Sequence, residues 1–180
     1  MREFWHRTFL LPRIALACAS VAVVLNLASY VGLQIRALGA SFAVIHVVLM
    51  ALAAVLMVRA VNHRWLALQN SGNSPTRVPI PQALIWATAL SFIYFLLLFF
   101  GMFAHYGEGG AEVRGGQEVW VVRDRVTGIL AEGSVARFEA RSLRVFSSAW
   151  LFLGLLIAVI GHRIEDRIRA YHNIARQAAV

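Results

Sequence analysis

Long apolar runs broken by short polar stretches dominate the chain. Residues 10–35, 38–58, 83–103 and 145–160 carry almost no charge and show no strict alternation of apolar and polar positions. A helix needs roughly 20 mostly apolar residues to cross the hydrocarbon core of a bilayer. Four spans are therefore predicted, the last one short and bounded by Arg144 and Arg163, whose stems can snorkel toward the interfaces. The first run passes the small-residue sequence Ala17-Cys18-Ala19 and continues to about Leu33, so it reads as an uncleaved span and not as a signal peptide. "LQIRALGAS" joins spans one and two tightly, which makes them antiparallel neighbours. "SGNSPTRVPIP" breaks the chain before span three, and Pro81 suits the first turn of that span, where a missing N–H costs little.

The pattern changes between spans three and four. "YGEGGAEVRGG" is glycine-rich and reads as a loop. "EVWVV" and "VTGIL" are β-rich runs separated by Arg123-Asp124-Arg125, which predicts a hairpin. An isolated two-stranded hairpin is marginal in water, so this one is expected to dock on the rest of the protein. From Ser134, a plausible N-cap, the period becomes helical: Val135, Phe138, Ser142 and Val145 line one side, and Arg137, Arg141 and Arg144 another. That helix should run into span four. Beyond span four, Ile164, Ile168, Tyr171 and Ala175 recur at helical spacing in a basic amphipathic tail suited to a lipid surface. The predicted fold class is an all-α transmembrane four-helix bundle with a small extracytoplasmic β-hairpin. Its parts are residues 1–106 with spans 1–3 and a cytoplasmic loop at 59–82, 107–144 with the hairpin and short helix, and 145–180 with span 4 and the tail.

Composition agrees with the pattern. Of 180 residues, 59% are hydrophobic and only 14% charged, against about a quarter charged in soluble domains, and the mean hydropathy is +0.67. The formal charge of +8 comes entirely from arginine over the acids and sits at span ends and in loops, so it does not point to nucleic acid. Ten of the 17 arginines fall on the side of the N-terminus and seven on the other, which predicts both termini cytoplasmic and the hairpin outside. Trp5, Trp65 and Trp86 then fall near the inner interface, and Tyr30, Tyr106 and Trp150 near the outer one, as aromatic belts require. A single cysteine, Cys18, excludes an internal disulfide and a multi-cysteine zinc site.

Residues 109–150 resemble the outer loop of an uncharacterised family of small bacterial four-span inner-membrane proteins. That family places a strand–turn–strand and a helix before a last span opening with an LRxFSxxW-like pattern, here Leu143, Arg144, Phe146, Ser147 and Trp150. Arg123-Asp124-Arg125 stands where the family's turn reads asparagine–histidine–glycine, and Ala149 where it has histidine. The resemblance implies a bacterial cytoplasmic membrane and no known reaction.

Candidate chemistry is sparse. No GxSxG, phosphate-loop or paired-acid motif occurs, and no Asp, Glu, Lys or Arg lies deep in a span, so no catalytic residue, cofactor or metal is predicted. Thr88 and Ser91 are expected to bond back to their own helix. His46 is the ionisable residue deepest in the apolar runs, at a depth similar to Asn26 and Tyr30. It can satisfy its ring by a bond to either of them, or join them with Ser91 and Tyr94 in a polar path for a small solute or ion, or bind metal or haem. His105, His162, His63, His6 and His172 do not pair with it at matching depth. Arg144 and Trp150 have two open roles. They could anchor at the headgroups, or with Ser147 clamp the hairpin through Glu118, Asp124 or Glu132. The leading expectation is a non-enzymatic interaction or accessory protein that sits in the lipid bilayer. It would bind a membrane or periplasmic protein, or a second copy, through a hairpin face with Val119, Trp120 and Val122. A transporter using His46 and a haem-linked protein are the alternatives.

Overall fold

The computed structural model describes residues 10–69, 80–106, 109–124 and 128–178. Helix α1 spans Leu10–Tyr30, the single-turn α2 spans Ile35–Leu38, α3 spans Ala40–Gln69 and α4 spans Gln82–Tyr106. Strands β1 (Gly109–Arg114), β2 (Gln117–Asp124) and β3 (Gly128–Ser134) follow, and α5 runs from Val135 to Ala178. Four of these helices, α1, α3, α4 and α5, are long and apolar enough to cross a membrane.

The ends of the elements have local causes. α1 stops at Tyr30, short of the expected Ile35, because Gly32 takes a φ of +95° there. The Leu33 N–H then reaches back to the Ala28 carbonyl and the Gly32 N–H to that of Ser29, a Schellman closure that caps the helix. Pro81 lies just before α4, and its carbonyl accepts from the N–H groups of Leu84 and Ile85, which opens the helix.

The segment between α4 and α5 is larger than a hairpin. Gly109–Arg114, expected to be loop, is a strand, and the sheet has three antiparallel strands in the order β1-β2-β3. Gly115 and Gly116 both have positive φ, as a two-residue hairpin turn between right-twisted strands requires, and Arg114 pairs with Gln117 across it. The expected second strand, 126–130, is shifted: β3 starts at Gly128, and a bulge at Val122/Arg123 offsets its register. Arg125 in the expected turn lies outside the described residues.

Helix α5 organises the rest. Its 44 residues correspond to about 66 Å, longer than a bilayer is thick. The expected short helix and span four are thus one continuous rod. α1, α3 and α4 all pack on it, most extensively α1. The pairing between α1 and α3, expected to be direct neighbours, is minor by comparison.

The α1 face turned inward is Pro12, Ala15, Ala19, Ala22, Asn26 and Ser29, spaced at three and four residues and mostly small. Gly154 of α5 meets it so closely that a Cβ there would lie 2.8 Å from the Ala15 carbonyl oxygen and 3.0 Å from the Ala19 Cβ. Within a bilayer, helices gain little hydrophobic drive from each other, and small residues that allow close approach supply the packing. At Gly161, seven residues further on, an added Cβ would lie 3.3 Å from side-chain atoms of Leu56 of α3 and Pro12 of α1, a looser fit. At that end of the molecule Arg59 of α3 forms an ion pair with Glu165 of α5. By contrast, only 11% of the apolar window of α4 is buried, so most of that helix faces outward.

Gly154→Ala puts a methyl against backbone that cannot swing away. A loss of about 1–3 kcal/mol is expected, the usual cost of overpacking. Gly101→Ala, where a Cβ meets nothing within 4 Å, should be neutral or stabilising. Thermal unfolding of the two variants in the same detergent checks the contrast.

Candidate functional site: two polar clusters at the sheet end of the helices

The first cluster joins α1, α4 and α5. Asn26 donates from Nδ2 to Ser147 Oγ (2.9 Å) and to the Arg144 carbonyl (3.0 Å). Its Oδ1 accepts from the Tyr94 hydroxyl at 2.9 Å, and Tyr94 in turn lies 3.0 Å from the Tyr30 hydroxyl. The Arg144 guanidinium sits 3.5 Å over the Tyr30 ring. Its Nε donates to Ser29 Oγ at 3.2 Å and its Nη2 to the Ser29 carbonyl at 3.3 Å. That last bond places a cation on the C-terminal carbonyls of α1, where the helix dipole favours one. The side chain of Asn26 thus has both N–H groups and its oxygen satisfied inside an apolar bundle, which makes the network rigid and costly to disrupt.

Of the predicted site residues, Asn26, Tyr30, Arg144 and Ser147 are therefore brought together, with Tyr94. Two expectations are corrected and one is narrowed. Among the described residues the partners of Arg144 are Ser29 and Tyr30, and Glu118 is held by Arg36; the side chains of Asp124 and Glu132 lie outside the described residues. Trp150 is no interfacial anchor, because it is 1% exposed and packs in the core with Ala22, Leu49 and Ala158. His46 bonds neither Asn26 nor Tyr30. Its Nδ1 accepts the Trp150 indole N–H at 3.1 Å, and the residue itself is exposed.

The His46–Trp150 bond has a chemical consequence. An Nδ1 that accepts holds its lone pair there, so the proton of the neutral ring is on Nε2. Nε2 then has no lone pair for a metal, and ligation through it requires breaking the bond to Trp150. Thr88 and Ser91 donate to the carbonyls of Leu84 and Thr88 on their own helix, as expected, which occupies the hydroxyl of Ser91, the one of the two also named for a polar path. His162 is buried at 1% exposure near the opposite end. His6, and the side chains of His63, His105 and His172, lie outside the described residues. Among the described residues no three His, Cys, Asp or Glu side chains converge.

The second cluster fixes the sheet. Arg36, on α2, donates from Nε to Glu139 Oε1 at 2.6 Å and from Nη2 to Glu118 Oε2 at 3.2 Å. The bond to Glu139, and then that to Glu118, raise the Arg36 guanidinium above its ordinary value and keep it charged. Beside this pair the Trp120 indole stacks on the Phe138 ring at 3.6 Å and 8°. A cavity of about 280 Å³ opens there, lined by Arg36, Glu118, Trp120, Phe138 and Glu139 among others. Arg36 is 55% exposed and Glu118 57%, so their pair adds little to stability. The aromatic stack carries more, since such contacts add roughly 0.5–1.5 kcal/mol beyond their buried area. Sequence reasoning passed over Arg36. The available signal was its position: a lone arginine in a nine-residue connection, on the same side of the spans as the polar segment between spans three and four.

No family model matches the chain, and neither does any curated protein or any solved structure.

Hydrogen–deuterium exchange over residues 109–124 separates the two fastenings. Trp120→Ala should raise exchange there strongly, and Arg36→Gln only modestly, with the four long helices unchanged in both.

Proposed function

We propose that the chain is a multi-pass protein of a bacterial cytoplasmic membrane, with both termini in the cytoplasm, that acts as an interaction or accessory protein through its sheet. The arginine bias supports the orientation, with ten on the side of the termini and seven on the other. It makes the sheet extracytoplasmic. The observation that carries the functional reading is the double fastening of the sheet by Arg36 and by the Trp120–Phe138 stack. A segment that merely joined two spans would not need to be folded and held. A fixed sheet presents a surface of constant shape, and a binding partner then has less ordering cost to offset.

Of the expected face, Trp120 is turned onto Phe138 and Val119 is half-buried, while the side chain of Val122 lies outside the described residues. Exposed apolar area falls instead on the edge strand β1, where Val113 is 73% exposed. An edge strand offers unpaired backbone groups that can receive a strand from a periplasmic protein, a membrane partner or a second copy.

Two measurements test the proposal. Replacement of residues 109–133 by a Gly/Ser linker of equal length should abolish the partner bands seen on crosslinking in native membranes; persistence of those bands refutes the reading. The orientation is tested in a Cys18→Ser background. An impermeant maleimide applied to spheroplasts should label Val113→Cys and spare Arg176→Cys, and the reverse pattern inverts the topology.

A further inference from the structure

His46 faces away from the polar network, and its surroundings suit a ligand dissolved in the bilayer. It lies six residues into the apolar window Ala40–Arg59 of α3, which at 1.5 Å per residue is about 9 Å from the end of that window. A hydrocarbon core is about 30 Å thick, so His46 stands within it. Acyl chains and the exposed neighbours Val44 and Val47 offer no hydrogen-bond acceptor, and Met50 offers only the weak one of a thioether. The bond from Trp150 fixes the ring so that Nε2–H is the outward group. A polar donor held in hydrocarbon without an acceptor is costly. Among the described residues Nε2 has no partner.

The surface around that donor is aromatic. Phe42, one turn before His46, meets Phe146 edge-on at 5.1 Å and 86°, and its centroid lies 5.1 Å from that of Trp150. Phe146 is 39% exposed, and Trp150 closes the base of the group at 1% exposure. A single N–H donor beside two partly exposed rings is the complement of a flat, apolar molecule that carries a carbonyl oxygen.

We propose that His46, Phe42 and Phe146 form a binding site for the carbonyl oxygen of a lipid-soluble quinone. His46 Nε2–H donates to one quinone oxygen, and Phe42 and Phe146 pack against the ring. Trp150 is a positioning residue, which holds the histidine tautomer that presents the donor. The site binds and orients; no electron or proton transfer is assigned to it. An ester carbonyl of a phospholipid shares the acceptor chemistry but has no ring for the two phenylalanines to pack on, which is why the quinone is preferred.

The test uses the full chain, labelled with [15N]histidine, in nanodiscs of ether-linked phospholipid, which contain no ester carbonyl. The His46 Nε2 resonance is identified by its loss in His46→Gln, a variant that keeps an acceptor for Trp150. Titration with decylubiquinone should shift this resonance saturably and leave Nδ1 in place. Phe42→Ala should raise the half-saturating concentration by roughly 2- to 10-fold, the range an aromatic contact supplies. Trp150→Phe should weaken binding and let the protonated nitrogen exchange between the two ring positions. A resonance unmoved by the quinone overturns the proposal. So does one that shifts only when ester-linked lipid replaces the ether-linked kind, because the acceptor is then the phospholipid.

Discussion

Where α1 crosses α5, Gly154 lies against the Ala15 carbonyl and the Ala19 side chain, with no room for a single added methyl. Everything toward the sheet depends on that approach. Because the backbones meet so closely, Asn26, two to three turns along from Ala15 and Ala19, comes within hydrogen-bond reach of Ser147 and the Arg144 carbonyl. The same approach brings Arg144 onto the last carbonyls of α1 and the ring of Tyr30. A larger residue at 154 would move the helices apart and lengthen each of these bonds at once. Van der Waals contact comes first here, and the polar network is its consequence.

The second organising feature is the length of α5. Because it continues without a break from the sheet into the last span, any load on the sheet is borne by the same rod that holds α1, α3 and α4. Phe138 and Glu139 on its first turns dock the sheet, Ser147 and Trp150 fix α1 and α3, and Glu165 ties α3 again at the far end. α4 is the helix least covered by the others. Tyr94 ties it to α1 through the hydroxyl of Tyr30 and the side chain of Asn26. The molecule therefore has a tightly fastened side, α1 with α5, and an outward side, α4.

Two arginines illustrate how burial decides a role that charge alone leaves open. Arg36 is exposed and meets two carboxylates, so it orients the sheet more than it stabilises it. Arg144 is half-buried and has a hydroxyl, a carbonyl and an aromatic face as partners, each neutral and each fixed by the helix crossing. His46 and Trp150 make the same point for neutral groups. The pair spans two helices, consumes the indole N–H inside the core, and by doing so assigns the proton on the imidazole.

Periodicity and length were enough to read four spans, the continuity of the last helix with the residues before it, and a folded segment between spans three and four. These are consequences of solvent: uncharged runs of about 20 residues suit a bilayer, and a charged, β-rich insert does not. The self-bonded hydroxyls of Thr88 and Ser91 were also legible, since that bond is local. Gly109–Arg114 was not read as a strand, because glycine-rich sequence becomes a strand only when a neighbouring strand supplies the pairing. Trp150 reads as an interfacial anchor by its position along the chain. Only the crossing of α3 over α5 buries it and gives it His46. The sequence alone determined which segments are apolar enough to leave water, because hydropathy acts residue by residue. Tertiary structure decided which polar groups meet, whether Asn26 with Ser147, Arg36 with Glu139 or His46 with Trp150, because those distances depend on how closely two helices approach and at what rotation.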